Sequence, residues 1–210
     1  MAVVVDDHGV TRRILFRTRA LAWAEIEDYR LTIQPRANRT AGQILVETIQ
    51  NRGSHEVHLD HAYFKMRVAS ASREITFRGW FFDVAQSTNL VFAKLHPRLS
   101  ALAAAELARD GAVRFGPFTL ADHGIQWLDR PVVPREAVDS IEVFDSSPVS
   151  LRVTVRGKIL PYGKASTAKI PNIGAALDLA TSLGYSVRGR DVFTALGLVE
   201  LRHDRVPGRL

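Results

Sequence analysis

The sequence predicts a mainly β protein in which one plan is used twice: several antiparallel strands closed by a single C-terminal helix, then the same again. Three observations carry this. The turn Asp-His-Gly is written twice, at Asp7-His8-Gly9 and Asp122-His123-Gly124, 115 residues apart in a chain of 210. Between and after these turns, apolar and polar residues alternate with a period of two, the pattern of half-buried antiparallel strands. Each half then ends in an amphipathic segment with a proline near its start and a glycine at its end.

The turn comes first. "VVVDDHGV" and "FTLADHGI" are both apolar approaches to a tight bend, in which Asp caps nearby backbone and Gly accepts an unusual φ. At a constant offset of 115, Ala22 falls on Ala137, Trp23 on Val138, Ile26 on Ile141, Glu27 on Glu142 and Tyr29 on Phe144. The expected register therefore needs no gap from residue 3 to residue 29. Strand patterns follow. Val57 and Leu59 alternate with Glu56, His58 and Asp60, Phe64, Met66 and Val68 with Lys65 and Arg67, and Ile75 and Phe77 with Thr76 and Arg78. In the second half Val149, Leu151, Val153 and Val155 alternate with Ser150, Arg152, Thr154 and Arg156. Extra strand material is expected around residues 36–62.

The terminal helices are read in "HPRLSALAAAELARDG" (96–111), with Leu99, Leu102 and Leu107, and Leu95 just before the run, near one face, and in "PNIGAALDLATSLGY" (171–185), with Ile173, Leu177, Ala180 and Leu183. Asn172 is the expected N-cap of the second, and Gly184-Tyr185 its stop. "RDGAVRFGPF" breaks any regular element, so the expected units are residues 1–112, 113–186 and an extension at 187–210, where Asp191 could cap a short helix bearing Val192, Phe193 and Leu196.

This order of turn, alternating strands and Pro-led terminal helix resembles pleckstrin-homology-like (PH-like) domains, in the bacterial PH-like and GRAM-like forms. "LAWAEIEDYRL" and "REAVDSIEVF" look like their second and third strand region. The run "FGPFTLADHGIQW…VTVRGK…IPNIGAALDLATSLG" is similar to an uncharacterised bacterial family that carries such domains in tandem. The resemblance covers roughly residues 3–185. It implies two bent seven-stranded split barrels, each plugged by a helix, and a binding role without catalysis. Phosphoinositide-binding eukaryotic members place a lysine and a spaced Lys/Arg-x-Arg pair in the first hairpin. Here Arg12, Arg13, Arg17 and Arg19 crowd that region without that lysine or spacing.

Composition narrows the function classes. The chain has no cysteine, which removes disulfides, thiolate zinc sites and cysteine nucleophiles. The net charge is +6, and only five of the 28 basic residues are lysines. Residues 1–112 and the remainder each carry an excess of three, so neither half is a dedicated basic arm. The N-terminus lacks a basic segment followed by an apolar one, and no run approaches the roughly 20 apolar residues of a membrane span, so a cytoplasmic protein is expected. The most one-sided run is "RVTVRGKILPYGKASTAK", where Arg152, Arg156, Lys158, Lys164 and Lys169 have no acid among them. It is a candidate rim for phosphate or carboxylate groups, to be weighed against an ordinary solvated strand face.

Other motifs read as structure. On a strand, His55 and His61 of "SHEVHLDH" stand roughly 20 Å apart and His58 faces the other way, so no metal site is expected. His8 and His123 beside Asp7 and Asp122 serve turns, since adjacent turn residues point apart and no matching serine appears in both copies. Trp23, Trp80, Phe81, Phe82 and Trp127 read as core or rim aromatics. No glycine loop has phosphate-cradling spacing, no cofactor is implied, and basic–aromatic interleaving of the nucleic-acid-binding kind is missing. Two expectations remain. The first is an interaction or scaffold protein that binds a protein or peptide, or itself, at an exposed strand edge. The second is a peripheral binder of anionic lipid at the inner face of the membrane, through the basic residues of the second half.

Overall fold

The computed structural model describes residues 2–15, 17–34, 63–144, 146 and 148–189. Its first half begins with the antiparallel meander β1 (Ala2–Val5), β2 (Gly9–Ile14) and β3 (Arg17–Ala22). A 3₁₀ turn (Trp23–Glu25) leads to a second meander of β4 (Asp28–Gln34), β5 (Tyr63–Ala69) and β6 (Glu74–Trp80), and then to helix α1 (Phe81–Asp110). The order then recurs. Strands β7 (Ala112–Phe115), β8 (Phe118–Ala121), β9 (Gly124–Trp127) and β10 (Val133–Pro134) form one antiparallel sheet. A 3₁₀ turn (Arg135–Ala137) leads to β11 (Val138–Phe144), β12 (Ser150–Val155) and β13 (Gly163–Ser166). Helix α2 (Ile173–Ser182) follows, and β14 (Val187–Arg188) adds to β11 in parallel. The chain is thus mainly β, as the sequence predicts, with a helix closing each half. The second half has seven strands before its helix; the first has six among the described residues.

Alternation explains the strands. Tyr29, Leu31 and Ile33 of β4, Phe64, Met66 and Val68 of β5, and Ile75 and Phe77 of β6 are buried, while Lys65 and Arg78 are exposed. Leu151 and Val153 do the same on β12. The expected strand at Val57 and Leu59 lies outside the described residues, as do the rest of 36–62 and the Asp191 helix.

Several expectations are corrected. The first helix does not start near Pro97 but at Phe81, and Pro97 sits inside it. Its buried face runs Leu95, Leu99, Ala103, Leu107, at steps of four, while Leu102 is 54% exposed. The gap-free register also fails. The two turns do match, because Asp6 and Ala121 stand in the same relation to Gly9 and Gly124. After β9, however, the chain turns at Leu128 (φ +52), whereas β2 runs on to Ile14 before the turn at Leu15 (φ +48). The second hairpin is shorter, so Trp23–Glu25 corresponds to Arg135–Ala137 and not to Val138–Ser140. In the first turn Asp6, not Asp7, accepts from the backbone, taking His8 N at 2.8 Å and Gly9 N at 3.2 Å.

Both helix stops behave as read. Tyr185 N donates to Ala180 O and Gly184 N, at φ +80, to Thr181 O, the double bond of a Schellman end with Tyr185 packed inside. Gly111 N donates to Leu107 O at the end of α1. Asn172 is different. It occupies the N-cap position in a left-handed conformation, but its side chain caps nothing in α2. Instead its Oδ1 accepts from Tyr29 N at 3.0 Å and its Nδ2 donates to Glu27 O at 3.2 Å.

That contact belongs to a larger one. The outer edge of β4 points its carbonyls at alternate residues toward the second half, as strand geometry requires. Tyr29 O accepts from Asn172 N, Leu31 O from the Thr167 hydroxyl at 2.6 Å, and Ile33 O from Val149 N. The buried Tyr29 hydroxyl accepts from Gly174 N at 3.0 Å, and its ring meets Phe92 edge-on at 4.9 Å. Between the helices, His96 Nε2 lies 2.8 Å from Asp178 Oδ2, which also accepts from Ser100. One continuous apolar core therefore draws on both halves. Burial holds the Tyr29 phenol well above the usual tyrosine range, and Asp178 adds to this, against the opposing Gly174 N–H. The folded state thus keeps a proton that the unfolded chain gives up near pH 10, so this contribution is complete below that pH and is lost above it. The melting temperature is expected to hold to about pH 9 and fall beyond about pH 10. Tyr29→Phe should lessen the fall in a pH series of thermal melts.

Candidate functional site

The first group of predicted site residues lies on one hairpin. Strands β2 and β3 leave the core at Val10 and Leu21, which face each other and are both buried. Two residues farther out, on the same face, Arg12 stands opposite Arg19, and beyond them Ile14 stands opposite Arg17. Arg13 points to the other face, opposite Thr18. From Arg17 to Ala20 every residue of β3 is exposed, so this end of the hairpin projects from the body. Its turn carries Leu15, 93% exposed. Among the described residues, Arg13, Arg17 and Arg19 pair with no acid. Arg12 and Arg19 are thus direct cross-strand neighbours on this face.

The base of the hairpin is well held. The Trp23 indole donates to Asp6 O at 3.0 Å, and Arg73 bridges Ala20 O and the Glu25 carboxylate. Lys94 of α1 meets Asp7 at 3.0 Å and keeps that carboxyl below its ordinary range. His8 and His123 are exposed at their turns.

The second predicted group divides. Arg152 and Lys164 are cross-strand partners on β12 and β13, and Arg152 also faces Glu142 on β11. Glu142 is buried; its carboxylate meets Arg152 Nε at 2.5 Å and Arg188 at 3.6 Å. The Phe144 ring lies under both Arg152 (4.8 Å) and Lys164 (4.7 Å). Arg152 is therefore committed to its own sheet. A scan of local charge missed this because the neutralising acid is ten residues away in sequence. Alternation gave no signal either: Glu142 falls between the buried Ile141 and Val143, on the face it shares with Ser140, where a polar residue is expected.

Arg156 and Lys158 do not share the strand with Arg152. They sit past its end in a loop that returns to β13, and both are exposed, as is Lys169 at the end of the 3₁₀ turn Thr167–Lys169. Between Lys158 and Pro161 the same loop presents Ile159, fully exposed, and Leu160, 79% exposed. Charge counting did not mark these two. Of the expected aromatics, Trp127 is buried and stacks on Phe118 at 5.8 Å, and Trp23 is partly buried against the core. The side chains of Trp80, Phe81 and Phe82 lie outside the described part, as do His55, His58 and His61. No helix among the described residues is long and apolar enough to cross a membrane.

No curated protein matches the chain. A family model described as a bacterial PH domain matches residues 1–73. That stretch spans the meander β1–β3, its projecting arginine hairpin and β4–β5 of the second meander, and over it the chain is similar to a bacterial PH domain.

Proposed function

We propose that this chain is a non-catalytic binding protein, built from two PH-like halves at residues 1–112 and 113–186 with an extension at 187–210, and that it attaches to an anionic membrane surface. The observation that carries the reading is the projecting hairpin, with Arg12, Arg17 and Arg19 on one face, Arg13 on the other and an exposed leucine at the turn. Cations around an apolar tip match a layer of negative headgroups over hydrocarbon. Strand addition by a peptide at the β4 edge is disfavoured, because the chain's own second half takes up the carbonyls that a peptide would use.

Sedimentation with vesicles tests this. The protein is expected to pellet with phosphatidylcholine vesicles containing phosphatidylglycerol, and not with phosphatidylcholine alone. Binding should fade as salt shortens the Debye length below about 8 Å. Arg17→Ala with Arg19→Ala removes about 2 kcal/mol, or roughly thirtyfold in affinity, at unchanged melting temperature. Equal pelleting with both vesicle types, or no effect of the double substitution, overturns the reading.

A further inference from the structure

We infer that the loop 156–162 of the second half is a membrane-inserting tip, which places Ile159 and Leu160 beneath the headgroups while Arg156 and Lys158 engage phosphate oxygens. The inference rests on the membrane reading above but concerns a different element and a different force.

The apolar pair is displayed rather than left over. Isolated exposed aliphatics need no explanation, but here two adjacent ones crown a loop with little surface of their own covered. The loop's approach is fixed by a β-turn in which Lys158 N donates to Val155 O, with Gly157 at φ +71, and Arg156 N is held by Ala137 O. Its return is anchored at Tyr162. The Tyr162 hydroxyl donates to Pro131 O at 2.6 Å and accepts from Trp127 N, its backbone N bonds to Val153 O, and Arg130 donates to its carbonyl. Gly163 lies so close to Trp127 that an added Cβ would stand 2.0 Å from the ring. The tip is thus held from both ends, so little conformational freedom is lost when it docks.

Charge selects the occupant. No acid occurs from residue 146 to residue 177, while Arg152, Arg156, Lys158, Lys164 and Lys169 all do. Among the described residues Arg156, Lys158 and Lys169 pair with no carboxylate. A convex apolar tip with a cationic collar fits an anionic bilayer, where hydrocarbon lies directly below the charge.

The absence of cysteine makes the test direct. Ile159→Cys in the full chain offers one site for an environment-sensitive fluorophore. On phosphatidylglycerol-containing vesicles its emission is expected to shift to the blue, and spin-labelled lipids with a shallow nitroxide should quench it. The double substitution Ile159→Ser, Leu160→Ser should weaken pelleting by roughly tenfold or more and leave the residual binding more sensitive to salt. Both positions are exposed, so the melting temperature should hold. If the labelled protein pellets with those vesicles but its emission does not move, insertion is overturned while attachment through the arginine hairpin stands. If it pellets with no anionic vesicle, the membrane reading itself falls and takes this inference with it. A concentration-dependent dimer in light scattering that the serine substitutions abolish would assign the tip to a second copy of the chain, and equally overturns insertion.

Discussion

Residues 1–111 expressed alone are expected not to fold, and the intact chain is expected to unfold in a single cooperative transition. Cutting there strips β4 of the partners for its edge carbonyls at Tyr29, Leu31 and Ile33 and leaves Tyr29 without Gly174. Each of these hydrogen bonds, exchanged for one to water, costs about 0.5–1.5 kcal/mol. Re-exposing side chains such as Tyr29, Leu31 and Ile33, all fully buried, costs about 1.5–3 kcal/mol each. Together these are comparable to the roughly 5–15 kcal/mol that holds a typical domain. Within the intact chain, Asn172→Ala probes the same seam. It leaves Tyr29 N and Glu27 O without the side chain that bridges them, at about 2–4 kcal/mol, or roughly 4–16 °C in melting temperature. Circular dichroism of the fragment and calorimetry of the whole chain check both. A fragment with a cooperative melt, or two separated transitions in the intact protein, would show that the halves stand independently.

This interlock was the least legible feature of the sequence, and the reason is physical. Strand alternation and helix periodicity report which face of an element is buried, and they located β5, β6, β12 and α2. They do not report what lies against a strand's edge, because edge bonds use backbone atoms that every residue shares. Asn172 looked like a cap because Asn before a helix usually is one; its bonds to Tyr29 and Glu27, more than 140 residues away, leave no local trace. The start of α1 was missed for a related reason. Pro97 is read as a beginning, since it has no N–H to give, but it is also tolerated within a helix at the cost of one bond. At the candidate site, the basic residues were visible by charge alone. Arg156 and Lys158 are separated from Arg152 by the end of β12 at Val155, which the sequence does not mark, because a strand and the turn that ends it can share one polar pattern. Ile159 and Leu160 passed unnoticed because two aliphatics between basic residues look like more strand; their exposure is what makes them a tip.

Gly9→Ala and Gly124→Ala are expected to destabilise the protein severely and to similar degrees, each by more than about 3 kcal/mol. A Cβ on Gly9 would stand 2.0 Å from Leu21 O of β3, and one on Gly124 2.3 Å from Val133 O of β10. Both obstacles are backbone carbonyls in the neighbouring strand, so no rotamer change relieves them. Gly9 also has φ +154, which L side chains rarely adopt. The equivalence survives the failure of the constant offset: Leu21 and Val133 are 112 residues apart, not 115, yet each crosses its glycine at the same place in its meander. Gly157 supplies the contrast. It too has positive φ, but nothing lies within 4 Å of an added Cβ, so Gly157→Ala is expected to cost only about 1–2 kcal/mol of backbone strain. Chemical denaturation of the three variants separates the cases. If Gly124→Ala matches Gly157→Ala and not Gly9→Ala, close packing at the second turn is relieved by local adjustment, and the two Asp-His-Gly turns share a sequence without sharing a mechanical role.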